Sequence, residues 1–232
     1  MTSDADPKPM SRTAAILYAI ISPLGLIALI FLPAGRIDWR PGWIFVVVAV
    51  SFGLSALVLA RVNPVIFRAR SRFQPGTKKW DLILVTMILL AFFAEIPVAA
   101  FDAGRMAWSV VPLSAVLLGY ILLVGGIAVT AWAQAVNPFF EPGVHIQSER
   151  GQRVVTSGPY RIVRHPGYTA AIGMFTGIPL ALSSWIALLP AALAIVLLII
   201  RTGWEDRLLQ AELPGYSEYA RQRRYRLFPA IW

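Results

Sequence analysis

The stretch that decides the fold class is residues 81–101, DLILVTMILLAFFAEIPVAAF, in which only two of 21 side chains are charged. About 20 such residues are enough for an α-helix to cross the hydrocarbon core of a bilayer, where every backbone polar group must be bonded within the helix. Further apolar stretches on both sides predict the same structure. The six predicted spans are 14–33, 42–60, 81–101, 110–136, 168–182 and 185–201.

The composition of the whole chain agrees with this interpretation. Of its 232 residues, 57% are hydrophobic and 14% are charged, whereas an average soluble domain is about a quarter charged. We therefore predict an all-α fold, a polytopic transmembrane helical bundle of about six spans. Because the chain has no cysteine, disulfides, zinc–thiolate sites and cysteine nucleophiles are excluded. No metal site is predicted.

The distribution of Lys and Arg predicts the orientation of the bundle. With the N-terminus inside, 18 of the 21 basic residues lie in cytoplasmic segments, and the three outside are Arg36, Arg40 and Arg105. Such a bias follows the positive-inside rule and places both termini in the cytoplasm. It also accounts for the net charge of +9, and because no basic run interleaves with exposed aromatic residues, nucleic acid is not an expected partner.

Three regions are predicted along the chain. Residues 1–12 are polar and are expected to form a disordered cytoplasmic N-terminus, and 13–136 hold four transmembrane helices. Residues 137–232 combine a helical hairpin with the polar segments that carry the chemistry, and end in an interfacial amphipathic helix. The first span is interpreted as a retained anchor, because it lacks a small-residue cleavage site. The expected location is therefore an integral, multi-pass membrane protein.

The loop before the fifth span, EPGVHIQSERGQRVVTSGPYRIVRHPGY at 141–168, is rich in polar residues. Residues 144–147 and 154–156 are predicted to form two short strands. Proline suits the first position of a helix, so Pro166 predicts that His165 lies just outside the N-terminus of span five. That helix end, with its neighbouring arginines, is typical of a carboxylate or phosphate site. Anchoring of the arginines to lipid headgroups is the alternative.

Two further positions carry charge within or beside apolar segments. Arg201 and Glu205 lie four residues apart at the end of span six, so they share one helical face, and a simple ion pair is one interpretation. Glu95 lies inside span three. Because it falls toward the outer end, structural pairing or interfacial placement is preferred over catalysis.

Three motifs occur in order: VVTSGPYRIVRHPGY at 154–168, RTGWEDRLL at 201–209 and PGYSEYARQRRYRLFP at 214–229. Together they resemble the isoprenylcysteine carboxyl methyltransferase and phospholipid methyltransferase group of integral membrane enzymes. The resemblance covers about residues 130–232. It implies transfer of a methyl group from S-adenosyl-L-methionine to a lipophilic small molecule, lipid or lipidated substrate, with the cofactor in a cytoplasmic pocket and no obligate protein partner.

The resemblance also implies a set of site residues. Arg201 matches an arginine that faces the substrate, and it is the predicted catalytic residue. Two departures weaken conclusions about the substrate, because Gln152 replaces a frequent histidine and Asp206 replaces the second of two glutamates. The predicted cofactor-binding residues are Gln147, Gln152, Arg153, Val154, Val155, Tyr160, His165, Pro166, Gly167, Tyr168 and Glu205.

The chemistry of these residues suits the proposed ligand. A helix N-terminus beside His165 is a suitable partner for the cofactor's carboxylate, and Glu205 offers an acceptor for ribose hydroxyls. Arg201 has the geometry to hold a carboxylate acceptor bidentately. Two alternatives stay open. One is a sterol-type membrane reductase that uses NADPH, although the sequence contains no Gly-rich phosphate loop to bind such a cofactor. The other is a non-catalytic membrane protein.

The predicted orientation is tested by a reporter enzyme fused after Trp232. We expect activity of a reporter that works only in the cytoplasm, because the positive-inside bias places that end inside. The matched fusion carries the reporter in the segment around Arg105, which is predicted to lie outside. An external signal from the Trp232 fusion contradicts the orientation.

Overall fold

The fold was analysed in a computed structural model, which describes residues 12–62, 73 and 76–232. The predicted disordered segment, except for Arg12, lies outside the described residues. Seven α-helices are found in the described part of the chain, and a π-helical turn, Ala100–Met106, continues the third. The helices are α1 Arg12–Ala34, α2 Arg40–Val62, α3 Lys79–Ala99, α4 Leu113–Val136, α5 Pro166–Ala181, α6 Leu188–Glu212 and α7 Tyr216–Gln222.

The predicted all-α membrane fold is confirmed. Four helical segments are long and apolar enough to cross a bilayer: Ile16–Ala34, Lys79–Met106, Leu113–Val136 and Leu188–Glu212. Many large apolar side chains on them are exposed, which a protein surrounded by lipid tolerates and a soluble one does not. Six spans stay a prediction, because α5 has 16 residues and the apolar helix in the described part of α2 is Arg40–Gly53.

The two predicted strands in the α4–α5 loop are wrong, since residues 144–147 and 154–156 are not extended pairs in the structure. Their backbone polar groups have other partners. Val144 N donates to the carboxylate of Asp81 over 2.8 Å, and Val144 O accepts from Lys78 N over 3.0 Å. Gln147 N donates to the side chain of Gln152 over 2.7 Å. The loop is thus bonded to α3 and to itself, so no strand ladder forms.

Helix α5 lies at the centre of the bundle, and none of its residues is exposed. One side packs on α4, where the two backbones approach closely at glycines. The other side packs against α3 and α6, where Phe175 joins a buried cluster with Ile88 and Leu198. Small residues at helix contacts allow this close approach in membrane proteins.

A polar cluster fixes the end of the hairpin that is predicted to face outside. The carboxylate of Asp102, 1% exposed, accepts hydrogen bonds from the hydroxyls of Ser109 and Ser184. Ser184 lies in the turn between α5 and α6 and also accepts from Ala187 N over 3.0 Å. The α5–α6 turn is therefore bonded to the end of the third span.

The buried Glu95 has no such partner. Its exposure is 0%, and neither carboxylate oxygen has a hydrogen-bond partner in the described part of the chain. The structural pairing that the sequence suggested is therefore not observed among the described residues.

The contact between α4 and α5 yields a stability prediction. A β-carbon added at Gly119 would lie 2.5 Å from the backbone nitrogen of Ala181 and 2.8 Å from the carbonyl oxygen of Gly177. Because backbone atoms on both sides cannot give way, Gly119→Ala is expected to lower the free energy of unfolding by about 1–3 kcal/mol. Thermal unfolding in detergent measures this change.

The matched control is Gly125→Ala on the same helix, where an added β-carbon has nothing within 4 Å. That variant is expected to be neutral or slightly stabilising, since alanine is the better helix former. Equal melting temperatures of the two variants would contradict the close helix contact.

Candidate functional site

A cavity of about 200 Å³ lies where the α4–α5 loop, the start of α5, the end of α6 and helix α7 meet. Aromatic side chains form much of its wall, and they come from segments that are far apart along the chain. Phe140 covers the start of α5, where a β-carbon at Gly167 would lie 2.7 Å from its ring. The aromatic lining residues are Phe139, Phe140, Tyr160, Tyr168, Tyr216 and Tyr219.

All residues that the motifs predicted for the site line this cavity. They come together although 58 positions separate Gln147 from Glu205, the first and last of the cofactor-binding residues. Their binding role stays a prediction, and what the structure adds is that they line one cavity. The predicted residues in the wall are Gln147, Gln152, Arg153, Val154, Val155, Tyr160, His165, Pro166, Gly167, Tyr168, Arg201 and Glu205.

A buried carboxylate holds the cavity wall together. Asp206, 0% exposed, accepts two hydrogen bonds of 2.8 Å from the guanidinium of Arg164. Arg226 Nε donates to it over 2.9 Å, the Tyr216 hydroxyl over 3.0 Å, and His165 Nε2 lies 3.3 Å away. Asp206 thus joins the start of α5, the end of α6, helix α7 and the segment after it.

Asp206 and its partners, called here the Asp206 node, also attach the chain after α7 to the loop before α5. Arg164 Nη1 donates to the carbonyl oxygens of Arg223 over 2.7 Å and of Arg224 over 2.9 Å. The backbone of His165 donates to Arg226 O over 2.9 Å. The charge of Arg164 is matched by Asp206. Arg164 therefore does not contact lipid headgroups and is not free to bind an anionic ligand, which were the two interpretations that the sequence left open.

Glu205, the residue before Asp206 on α6, contributes to another part of the cavity wall. Its side chain accepts a hydrogen bond from the Tyr168 hydroxyl, and the Tyr168 ring stacks on His165 with ring centres 5.6 Å apart. The guanidinium carbon of Arg201 lies 5.1 Å from the centre of the same ring. These four residues form one contiguous surface of the cavity.

Arg201 has a partner that the sequence analysis missed. Its Nε lies 2.6 Å and its Nη2 3.1 Å from the carboxylate of Asp81, and Nη2 also donates to Pro142 O over 2.6 Å. Asp81 is 0% exposed, so the pair is a buried bidentate ion pair. Asp81 takes the Nε–Nη2 edge and Pro142 O takes the second proton of Nη2, so a second carboxylate could be held bidentately only through Nη1 and Nη2 in place of Pro142 O. The catalytic role of Arg201 stays a prediction.

The side chain of Gln147 also forms its hydrogen bonds within its own loop. Gln147 is 2% exposed, donates to Phe139 O over 2.9 Å and accepts from Arg150 Nη1 over 2.6 Å. Its side chain fixes the loop that carries the cavity wall. The departure at Gln152 has a similar effect, because its side-chain oxygen caps the backbone N–H of Gln147 over 2.7 Å.

Sequence reasoning missed Asp81 and gave Asp206 no role beyond matching a family glutamate. A signal for Asp81 exists, because an acid at the very start of an apolar span is costly unless it is paired. Within the described ranges, no group of three or more His, Asp or Glu residues is arranged to hold a metal ion.

The node around Asp206 generates a stability prediction. Asp206→Asn keeps the size of the side chain but leaves Arg164 and Arg226 without their counter-charge, and breaking a buried ion pair costs about 3–5 kcal/mol. We expect a correspondingly lower thermal midpoint in detergent. Glu212→Gln is the control on the same helix, since its bridge to Lys78 is exposed and such pairs contribute at most about 1 kcal/mol. A stable Asp206→Asn protein would refute the role of the node.

Comparison with known proteins shows which family the cavity region resembles. The family model described as phospholipid methyltransferase matches residues 114–213, which contain α4, α5, α6 and most of the cavity wall. A curated relative is the cobalt-zinc-cadmium resistance protein CzcN of Cupriavidus metallidurans, 35% identical over 82 residues. That alignment covers 34% of this chain and 37% of the relative. Residues 114–213 are thus similar to the phospholipid methyltransferases, and the resemblance inferred from the motifs is confirmed.

Proposed function

We propose that this protein transfers a methyl group from S-adenosylmethionine to a lipophilic acceptor at the cytoplasmic face of the membrane. The observation that carries the proposal is the single cavity that collects every residue implied by the motifs. The family match supplies the reaction class, and the cavity supplies a place where one small molecule can meet an acceptor from the bilayer.

The residues present fit the cofactor. Glu205 is half-buried in the cavity wall, and a carboxylate there accepts hydrogen bonds from ribose hydroxyls. Val154, Val155 and the tyrosine rings offer apolar faces for an adenine ring. The cofactor supplies an activated methyl group on a sulfonium, and the cavity residues bind and align it, which is the main requirement of an in-line displacement.

The position of the cavity favours an acceptor that arrives from lipid. Trp80 at the start of α3 and Trp204 on α6 pack edge to face with ring centres 5.3 Å apart. Tryptophan is enriched where a membrane meets water, and Asp81 and Glu205 directly follow these two residues in sequence. The cavity therefore lies near a membrane–water boundary, and we assign it to the cytoplasmic boundary from the distribution of Lys and Arg.

Cofactor binding tests the proposal directly. We expect the detergent-solubilised protein to bind S-adenosylhomocysteine in a calorimetric titration and to show no comparable binding of NADPH. Glu205→Ala is expected to lower the affinity at least about tenfold, because hydrogen bonds to a charged group contribute about 1.5–3 kcal/mol.

Glu212→Ala on the same helix is the matched control, since its exposed carboxylate bonds to Lys78 and does not line the cavity. It is expected to bind with unchanged affinity. Tight NADPH binding without binding of S-adenosylhomocysteine would favour the reductase alternative and reject the methyltransferase.

A further inference from the structure

Arg201 and Glu205 carry opposite charges one turn apart on α6, and both line the cavity. Side chains at this spacing on a helix are close enough to form an ion pair. In the described part of the chain they do not form one, because Arg201 is paired with Asp81 at 2.6 Å. Glu205 has a neutral partner, the hydroxyl of Tyr168. The charge of Glu205 is thus left available in the cavity wall.

Asp81 holds Arg201 without reaching the cavity itself. It is fully buried and is not among the lining residues. Its carboxylate accepts from Nε and Nη2 of Arg201 over 2.6 and 3.1 Å, and its Oδ2 also accepts from Val144 N over 2.8 Å. Asp81 therefore acts on a ligand only through the groups that it holds.

The guanidinium of Arg201 is fixed on two edges and on one face. Asp81 takes the Nε–Nη2 edge, and Pro142 O accepts the second proton of Nη2 over 2.6 Å. The ring centre of Tyr168 lies 5.1 Å from the guanidinium carbon. Because the fork is planar and rigid, these contacts determine the position of all its nitrogens. In that position none of them lies within ion-pair distance of Glu205.

Loss of Asp81 would leave Arg201 as a buried cation without a counter-charge, which is costly. Two acids of the described chain line the cavity, Glu141 and Glu205. Glu141 is already bonded to Arg150 over 2.7 Å. Glu205 is the remaining acid, and it lies on the same helix at the spacing that permits an ion pair. Without Asp81, Arg201 is therefore expected to pair with Glu205.

We propose that Asp81 is a positioning residue for the cofactor: by holding Arg201, it keeps Glu205 available to accept the ribose hydroxyls. This inference rests on the proposed methyltransferase function and deepens it. A carboxylate that is bonded to an arginine fork has fewer lone pairs for other donors. Asp81 lies on α3, outside residues 114–213 that match the family model, so the cofactor site would depend on the N-terminal part of the chain.

The variant Asp81→Asn is the first test. The amide keeps the size of the side chain and an oxygen for Val144 N, but it removes the counter-charge of Arg201. We expect the affinity for S-adenosylhomocysteine to fall at least about tenfold, as for Glu205→Ala. Calorimetry measures this affinity for the molecules that bind, while any unfolded fraction lowers the stoichiometry. Unchanged affinity overturns the proposal.

The double variant Asp81→Asn/Arg201→Gln is the second test. It removes the arginine that would occupy Glu205, and it leaves no unpaired charge in place of the buried pair. We expect the affinity for S-adenosylhomocysteine to return close to the wild-type value, although a second side chain has been changed. A loss as large as that of Asp81→Asn alone overturns the proposal. This result is informative even if the single variant does not fold.

Asp81→Asn added to Glu205→Ala separates positioning from a general distortion of the cavity. If Asp81 acts through Glu205, the second substitution has nothing left to impair, and the affinity is expected to equal that of Glu205→Ala. Independent effects would add. Additive losses therefore show that Asp81 only supports the shape of the cavity, and they overturn the proposal.

Glu212→Gln is the matched control. It removes an exposed ion pair, Lys78 to Glu212 at 3.2 Å, which also links the start of α3 to α6. We expect it to keep the wild-type affinity for S-adenosylhomocysteine. Failure of the proposed function is distinguishable, since the wild-type protein itself would then not bind this ligand. Failure of the present inference shows only in the variants of a wild-type protein that binds.

Discussion

The site depends on one buried carboxylate that has to be shared. Asp206 lies between two guanidinium groups, an imidazole and a phenol, and these groups come from three different segments of the chain. A buried charge is tolerated only when its partners are in place, so the carboxylate forces those segments into one arrangement. The cavity lies next to this arrangement, and Glu205, Tyr216 and Tyr219 form part of its wall.

The features that were predicted correctly are those that a local sequence pattern determines. The length of the apolar stretches predicted the helical membrane fold, and Pro166 predicted the start of α5. The three motifs predicted a set of residues that line one cavity. The partners of Arg201 and Arg164 could not be predicted this way, because both are bonded to residues more than 40 positions away. An ion pair at i,i+4 was the local alternative for Arg201, and a tertiary contact with Asp81 replaced it.

The prediction of two strands in the α4–α5 loop was wrong for a related reason. Residues 144–147 have an alternating pattern, but their backbone groups find better partners in a buried carboxylate and in a glutamine side chain than in a second strand. The same loop holds Glu141 and His145, whose side chains are buried, a property that the residue types alone do not predict. Helix α3 contributes Asp81 to this region, so the N-terminal part of the bundle is also part of the site's support.

The length of α5 has a consequence for where an acceptor from the bilayer meets the cavity. At about 1.5 Å per residue, its 16 residues span about 24 Å, less than the roughly 30 Å of a hydrocarbon core. A lipid-facing helix of that length would thin the bilayer around it, but α5 is screened by its neighbours and keeps its length without that cost. One end of α5 is tied to the Asp102 cluster, so the other end, next to His165, need not reach the opposite edge of a hydrocarbon core. Under the proposed function, a lipophilic acceptor enters the cavity at that end while most of its chain stays among the lipid tails.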